Sequence, residues 1–133
     1  MNIMIVEDSP TVYERLLAML QDIAGFRLVA YADDAFDALD KWDKLTGSAD
    51  HPDAVILDIK LVAGNGVGVL NYIKSRTPRT MVIMLTNHAT EQYRKLCGNA
   101  DYFFDKNTEF MRVPEVLRQA FAQSGRTVEG TRP

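Results

Sequence analysis

The segment A-V-I-L-D-I-K-L at residues 54–61 decides how the rest of the chain is interpreted. Four apolar residues lead into Asp58, and so short an apolar run is typical of a strand buried inside a sheet. An ionised carboxylate is costly to bury unless it is paired or hydrogen-bonded. We therefore expect Asp58 to lie just past the strand, at a wet edge of the sheet, with positive charge beside it.

Length and composition indicate one soluble globular domain. The chain has 133 residues, of which 47% are hydrophobic and 25% charged. A net charge of −3 without a Lys/Arg stripe gives no reason to expect nucleic-acid binding. Cys97 is the only cysteine, so an internal disulfide is excluded and a reducing, cytoplasmic compartment is expected. The sequence has neither a signal-peptide pattern nor an apolar run of about 18 residues, so we expect no membrane span.

Short apolar runs alternate with helical patterns five times along the chain. The predicted strands are residues 3–6, 26–31, 54–57, 80–85 and 100–104. Ser9 and Pro10 predict the start of the first helix, and Asp33 or Asp34 can cap the second. This alternation implies an α/β fold with helices on both faces of a parallel sheet. Right-handed crossovers leave few topologies, and we predict the flavodoxin-like order 2-1-3-4-5 with five helices.

The domain is expected to occupy residues 1–124. Residues 125–133 are polar and are predicted to form a flexible C-terminal tail. This tail is too short for an output domain, so the chain is interpreted as a stand-alone protein or a fragment of a longer one.

Polar residues follow the strands at the carboxyl edge of the predicted sheet. The first strand delivers Glu7 and Asp8, the third delivers Asp58, the fourth Thr86 and the fifth Lys106. Ligands bind at this edge, between the neighbouring first and third strands. Three close carboxylates repel one another unless a cation lies among them, and an open set of oxygen ligands suits Mg²⁺. A carboxylate between Mg²⁺ and an ammonium can act as a nucleophile and form aspartyl phosphate.

Five motifs in this order resemble the response-regulator receiver domain of two-component signalling, across residues 1–123. They are I-V-E-D-S-P at 5–10, V-I-L-D-I-K-L at 55–61, G-N-G at 64–66, V-I-M-L-T-N at 82–87 and G-N-A-D-Y-F-F-D-K at 98–106.

The resemblance implies a phosphorylation site with bound Mg²⁺. Asp58 would be the phosphoacceptor, and Lys106 would pair with the phosphoryl group. Asp8 would bind the metal directly, Glu7 mostly through a water, and Lys60 through its backbone carbonyl.

The resemblance also implies residues that switch and tune the signal. Thr86 would bind a phosphoryl oxygen, and Phe103 would be its aromatic switch partner. Lys60 and His88 would tune the lifetime of the phosphoryl group. Gly66 would let the loop after the third strand turn.

The implied partners are a sensor histidine kinase as phosphoryl donor and an unknown downstream protein. Small acyl phosphates are a second implied donor. The protein would be a phosphoacceptor rather than an enzyme acting on a separate substrate, and phosphorylation could produce a homodimer. The readout face would comprise the fourth helix, fifth strand and fifth helix, at about residues 90–97, 100–104 and 113–123. Its candidate partner-facing residues are Arg94, Tyr102, Arg118 and Gln123.

Four positions depart from the family pattern. Glu7 replaces the commoner Asp, Val62 stands where proline is frequent, and Asn87 follows the threonine where a small residue is usual. Asn107 replaces the proline after Lys106. A cis bond before a residue other than proline costs about 3 kcal/mol, so we predict a trans Lys106–Asn107 bond and an altered loop.

Three alternatives belong to other functional classes. A flavodoxin-like cofactor binder would need a Ser/Thr cluster after the first strand, where only Ser9 and Thr11 flank Pro10. A phosphohydrolase with a nucleophilic aspartate would have a second acid where Lys60 stands. A receiver-like interaction module that signals without phosphate would not need the complete acid set.

Overall fold

The computed structural model describes the backbone of residues 1–130 and the side chains of residues 1–122. Five parallel strands form one sheet in the order β2-β1-β3-β4-β5, which confirms the predicted topology. The strands are β1 (Asn2–Val6), β2 (Arg27–Ala32), β3 (Ala54–Leu57), β4 (Met81–Thr86) and β5 (Tyr102–Asp105).

The fifth strand begins two residues later than predicted. The backbone N–H of Asp101 donates to the carbonyl of Val82, and the Asp101 carboxylate accepts from the Val82 N–H at 2.7 Å. Asp101 therefore closes the turn into the strand instead of belonging to it. The strand also ends one residue later than predicted, at Asp105, so Lys106 is the first residue past β5.

A helix follows each strand. The helices are α1 (Pro10–Leu20), α2 (Ala35–Leu45), α3 (Gly66–Arg76), α4 (Glu91–Leu96) and α5 (Arg112–Gly130). Ser9 and Asp34 cap α1 and α2 by accepting hydrogen bonds from backbone N–H groups of the first turn, as the sequence predicted. Among the described residues, no helix has the length and apolar character needed to cross a membrane.

The sheet is buried on both faces, which explains why its central strands are apolar without alternation. Met4 and Val6 of β1 point into one hydrophobic cluster with residues of α2 and α3, including Trp42. Ile3 and Ile5 of the same strand point into a second cluster with residues of α1 and α5. This arrangement leaves the carboxyl edge of the sheet as the place where polar side chains gather.

The last helix continues further than the sequence indicated. We predicted a flexible tail from residue 125, whereas the backbone is helical up to Gly130; the domain boundary and the flexibility of the tail stay predictions. One glycine costs about 1 kcal/mol inside a helix, and Gly125 alone does not stop one. Residues 131–133 lie outside the described part, as does the side chain of Gln123.

Candidate functional site at the carboxyl edge of the sheet

Backbone hydrogen bonds place the site residues by extending the sheet one residue past its strands. The N–H of Glu7 donates to the carbonyl of Ala32 at 2.9 Å, and that of Asp58 donates to the carbonyl of Val6 at 3.0 Å. On the other side, the Lys106 N–H donates to the Thr86 carbonyl at 3.0 Å. Each residue is therefore held by a neighbouring strand, and all three point out of the same edge.

The side chain of Lys106 bridges two of these acids. Its Nζ lies 2.6 Å from Asp58 Oδ2 and 2.7 Å from Glu7 Oε1. Asp58 is only 5% exposed, so the expectation that it would sit at a wet edge is wrong. Its burial is tolerated because Lys106 pairs with one oxygen and the Ile59 N–H donates to the other at 2.7 Å.

The electrostatics of the bridge favour a charged lysine. Burial raises the pKa of Glu7, and the hydrogen bonds from Lys106 and from the Ser9 N–H offset only part of that rise. Burial acts to lower the pKa of Lys106, but its hydrogen bonds to Asp58 and Glu7 outweigh it, so this pKa is raised. The ammonium form of Lys106 therefore persists at neutral pH.

Asp8 completes a cluster of acids able to hold a metal ion. One carboxylate oxygen each from Glu7, Asp8 and Asp58 lies within 4.8 Å of the others. Three carboxylates face one ammonium, which leaves excess negative charge, and carboxylate oxygens are the ligands that Mg²⁺ prefers. The residues present therefore fit Mg²⁺.

The family model described as the response regulator receiver domain matches residues 3–118 of the chain. The chain belongs to this family. A likeness to solved receiver domains agrees with the fold. The signal receiver domain of a DNA-binding response regulator (merR) from Colwellia psychrerythraea has a TM-score of 0.78 at 24% identity, over 91% of this chain and 98% of that one. The response regulator domain of Thermotoga maritima CheB has a TM-score of 0.73 at 23% identity, over 92% and 94%.

Curated relatives of this receiver are longer proteins. A protein-glutamate methylesterase/protein-glutamine glutaminase 2 from Xanthomonas euvesicatoria is 31% identical over 83 residues, which are 62% of this chain and 22% of that protein. Response regulator protein VraR from Staphylococcus saprophyticus is 24% identical over 122 residues, 90% of this chain and 56% of that protein. The receiver thus spans less than two thirds of the length of either relative.

Two glycines in the loop after β3 are required for different structural reasons. Gly64 takes the positive φ of 78° that turns the chain, a role the sequence analysis gave to Gly66. Gly66 is needed for a different reason, because a Cβ there would lie 1.9 Å from the Asp58 carbonyl oxygen. Both glycines are visible in the motif G-N-G, but the spacing does not tell which one turns and which one is crowded.

The proposed switch residues lie on one face of the sheet. Thr86 ends β4 and is fully buried, and its hydroxyl oxygen accepts a hydrogen bond from the His88 N–H at 3.0 Å. Phe103 is half-buried against the cluster that contains Met84. Met84 and Thr86 are two residues apart in one strand, so their side chains share a face, and Phe103 packs on that face.

Two tyrosines that were not predicted from the sequence, Tyr31 and Tyr93, contact the site. The hydroxyl of Tyr31 donates to the Glu7 carbonyl at 2.8 Å and thereby fixes the chain after β1. The ring of Tyr93 in α4 lies 5.5 Å from Lys60 Nζ and 6.5 Å from the His88 ring. Lys60 and His88 are exposed, and each lies beside the ring of Tyr93. Only the pairing of β1 with β2 could have indicated Tyr31 in advance.

The first peptide bond of the loop after Lys106 has the trans geometry that the sequence predicted. The Lys106–Asn107 peptide bond is trans. The Asn107 N–H donates to Asp105 Oδ1 at 2.8 Å, and Glu109 Oε1 accepts from the Asp105 N–H at 3.1 Å. These contacts order the start of the loop without the proline that is common in the family.

Proposed function

We propose that Asp58 accepts a phosphoryl group from a sensor histidine kinase in a Mg²⁺-dependent reaction, and that the modified receiver controls a downstream protein. The observation that carries the proposal is the Lys106 ammonium, 2.6 Å from Asp58 Oδ2, beside the buried Glu7 and the more exposed Asp8. A structural ion pair would need one acid, whereas a phosphorylation site with a metal needs all of them.

The chemistry assigned to Asp58 is nucleophilic attack. A carboxylate oxygen forms a bond to phosphorus, the phosphorus–nitrogen bond of the donor's phosphohistidine breaks, and its electron pair leaves with the imidazole. Lys106 stays charged and pairs with an oxygen of the arriving group. Mg²⁺, held by Glu7, Asp8, Asp58 and the Lys60 carbonyl, supplies further positive charge when it is bound. The Thr86 hydroxyl, which accepts from the His88 N–H, keeps its own proton to donate to a phosphoryl oxygen.

The proposed output is a shift in a two-state equilibrium of the face formed by α4, β5 and α5. Thr86 moves toward the phosphoryl group, and Phe103 repacks with it. The exposed large hydrophobic residues Leu96 in α4 and Met111 before α5, at 50% and 62% exposure, support a docking role for this face. Arg94 and Arg118 are exposed there and Tyr102 is half-buried. The occupant is a downstream protein or a second receiver, and direct nucleic-acid binding is not proposed.

Intact-mass measurement after incubation with Mg²⁺ and a small acyl phosphate tests the site. We expect the wild-type receiver to gain one phosphoryl group, and Asp58→Asn to gain none. Asp40→Asn is the matched control, because Asp40 is an exposed acid of α2 paired with Lys44. Chelation of Mg²⁺ should abolish the gain. Equal labelling of Asp58→Asn and wild type would refute the assignment of Asp58.

A kinase assay tests the remaining part of the proposal. Autophosphorylated sensor kinases from the source organism should transfer label to the receiver within seconds to minutes, and cell fractionation should place the receiver in the cytoplasm. Failure of every kinase, with acyl-phosphate labelling intact, would leave Asp58 as the acceptor and reject the kinase as donor.

A further inference from the structure

The Lys106 bridge is enclosed by protein. The side chains of Lys106, Glu7 and Asp58 are 7%, 3% and 6% exposed. An ion pair on the surface is weakened by water and salt, whereas one buried to this degree is screened much less. The contact between Lys106 and Glu7 is therefore a defined state of the site rather than one of many side-chain positions.

Glu7 uses both of its oxygens on protein groups. Oε1 accepts from Lys106 Nζ at 2.7 Å, and Oε2 accepts from the Ser9 N–H at 3.0 Å. Asp58 is likewise engaged through Ile59 and Lys106. Within the part of the chain that the structure describes, the carboxylate of Asp8 has neither a hydrogen bond nor an ion pair. A cation arriving at the cluster thus finds only one of its three carboxylates unengaged.

An ammonium and a divalent cation compete for the same carboxylate oxygens at this site. The ligand oxygens of the three acids lie within 4.8 Å of one another, and Lys106 Nζ is in hydrogen-bond contact with two of these residues. A metal that takes the Glu7 oxygen now in contact with Lys106 must therefore displace the ammonium from it, whereas Asp58 can offer its other oxygen.

The length of residue 7 is what allows the bridge. A glutamate carboxylate extends one methylene further than that of an aspartate. The extra reach lets Glu7 accept from Lys106 and from the Ser9 N–H at the same time. An aspartate at this position keeps the charge but loses the reach.

We infer that Glu7 is a positioning residue that holds Lys106 against Asp58 in the unphosphorylated receiver, and that Mg²⁺ binds only as Glu7 releases Lys106. The inference deepens the proposed function of the same site and rests on it for its biological meaning. It concerns a binding equilibrium that exists before any phosphoryl transfer.

The first test uses the wild-type receiver and Mg²⁺ alone. A buried ammonium held by two carboxylates exchanges its protons slowly and gives its own ¹⁵N resonance, which Lys106→Arg assigns by removing it. We expect Mg²⁺ to shift or abolish this resonance with the same dissociation constant that calorimetry reports for Mg²⁺ binding. Saturation with Mg²⁺ and an unchanged resonance would overturn the inference.

The second test changes the reach of residue 7 at constant charge. Glu7→Asp should lose the slowly exchanging ammonium signal and bind Mg²⁺ about fivefold more tightly or better, as expected for a coupling between competing ligands. Glu14→Asp is the matched control, since it makes the same change at an exposed glutamate of α1 outside the acid cluster, and it should keep both the signal and the wild-type Mg²⁺ affinity. Unchanged or weaker Mg²⁺ binding by Glu7→Asp would show that Glu7 serves mainly as a metal ligand.

The outcomes for this inference and for the proposed function are separable. If Mg²⁺ displaces Lys106 but acyl phosphate never labels Asp58, the proposed function fails and the inference stands. If labelling succeeds while Mg²⁺ leaves the Lys106 resonance unchanged, the reverse holds.

Discussion

At the scale of single residues, Lys106 decides whether two buried carboxylates are tolerable. Removing one partner of a buried ion pair costs about 3–5 kcal/mol, because the other charge stays buried without compensation. The charged form of Glu7 is the unfavourable part of this arrangement, because burial raises the pKa of Glu7 despite its contact with Lys106. The buried Glu7 carboxylate therefore lowers the free energy of unfolding when no metal is present.

The raised pKa of Glu7 predicts a specific pH dependence of folding. The folded protein keeps a proton on Glu7 more readily than the unfolded chain, whose value is near 4.5. Stability contributed by this group is present at low pH and is lost as the pH rises above about 4.5 through the folded pKa. Glu7→Gln lacks this loss. Urea denaturation without metal should show the variant gaining stability relative to wild type as the pH rises, and a constant difference would contradict the prediction.

At the scale of elements, the loop from β3 to α3 brings its own backbone against Asp58, the proposed phosphoacceptor. The Gly66 N–H donates to the Ile59 carbonyl at 2.8 Å, and Lys60 pairs with Asn65 in a short bridge. The loop is thus folded tightly enough that its geometry controls the position of Asp58.

A methyl group at residue 66 should disrupt this loop. In Gly66→Ala the new Cβ would meet the Asp58 carbonyl oxygen at 1.9 Å, and backbone atoms cannot move aside cheaply. We expect a loss of about 1–3 kcal/mol in unfolding free energy, together with impaired labelling of Asp58. Gly68→Ala is the control, because nothing lies within 4 Å of its added Cβ in α3, and it should be stabilising by up to about 1 kcal/mol. Equal stability of the two variants, measured by urea denaturation, would contradict the clash.

The start of α4 should influence how long the phosphoryl group survives. The Lys60 ammonium lies over the Tyr93 ring, a contact worth about 0.5–1 kcal/mol at an exposed site. Lys60→Asn removes this contact and a long side chain beside Asp58, so water should gain access and the half-life should shorten a few-fold. Lys95→Asn, an exposed lysine of α4 without that contact, should leave the half-life unchanged. The decay of phosphorylated receiver after donor removal measures both, and an unchanged half-life in Lys60→Asn would reject a tuning role.

At the scale of the whole molecule, the sheet separates two functions in space. Its carboxyl edge holds the acids and Lys106, while the two hydrophobic clusters on its faces attach the helices that would report their state. In the proposed mechanism, Thr86 and Phe103 would connect the edge to the face formed by α4, β5 and α5. The proposed phosphorylation at one edge would thus change a surface without unfolding the core.

The C-terminal end of α5 is separate from this arrangement. Removal of residues 125–133 should leave Mg²⁺ binding and acyl-phosphate labelling unchanged, because the site lies at the carboxyl edge of the sheet, where α5 begins. Far-ultraviolet circular dichroism should show less helix in the shortened chain, since residues 125–130 are helical. If the two spectra, scaled for the whole chain, report the same number of helical residues, this part of the helix does not form in solution.

The fold class, the strand order and the identity of the residues that gather at the carboxyl edge could all be predicted from the sequence. This was possible because alternating strand and helix patterns are local, and parallel strands bring their carboxyl ends together whatever their side chains are. Strand boundaries were correct to within two residues.

How these residues contact one another could be seen only in the folded chain. The burial of Asp58, the bridge from Lys106 to Glu7, the different roles of Gly64 and Gly66, and the contacts of Tyr31 depend on distances between atoms of different strands and loops. Hydrophobic periodicity records which face a residue turns toward, but not how far its side chain reaches. The contact between Glu7, just past β1, and Lys106, just past β5, depends both on the length of the glutamate side chain and on how the strands between them pack.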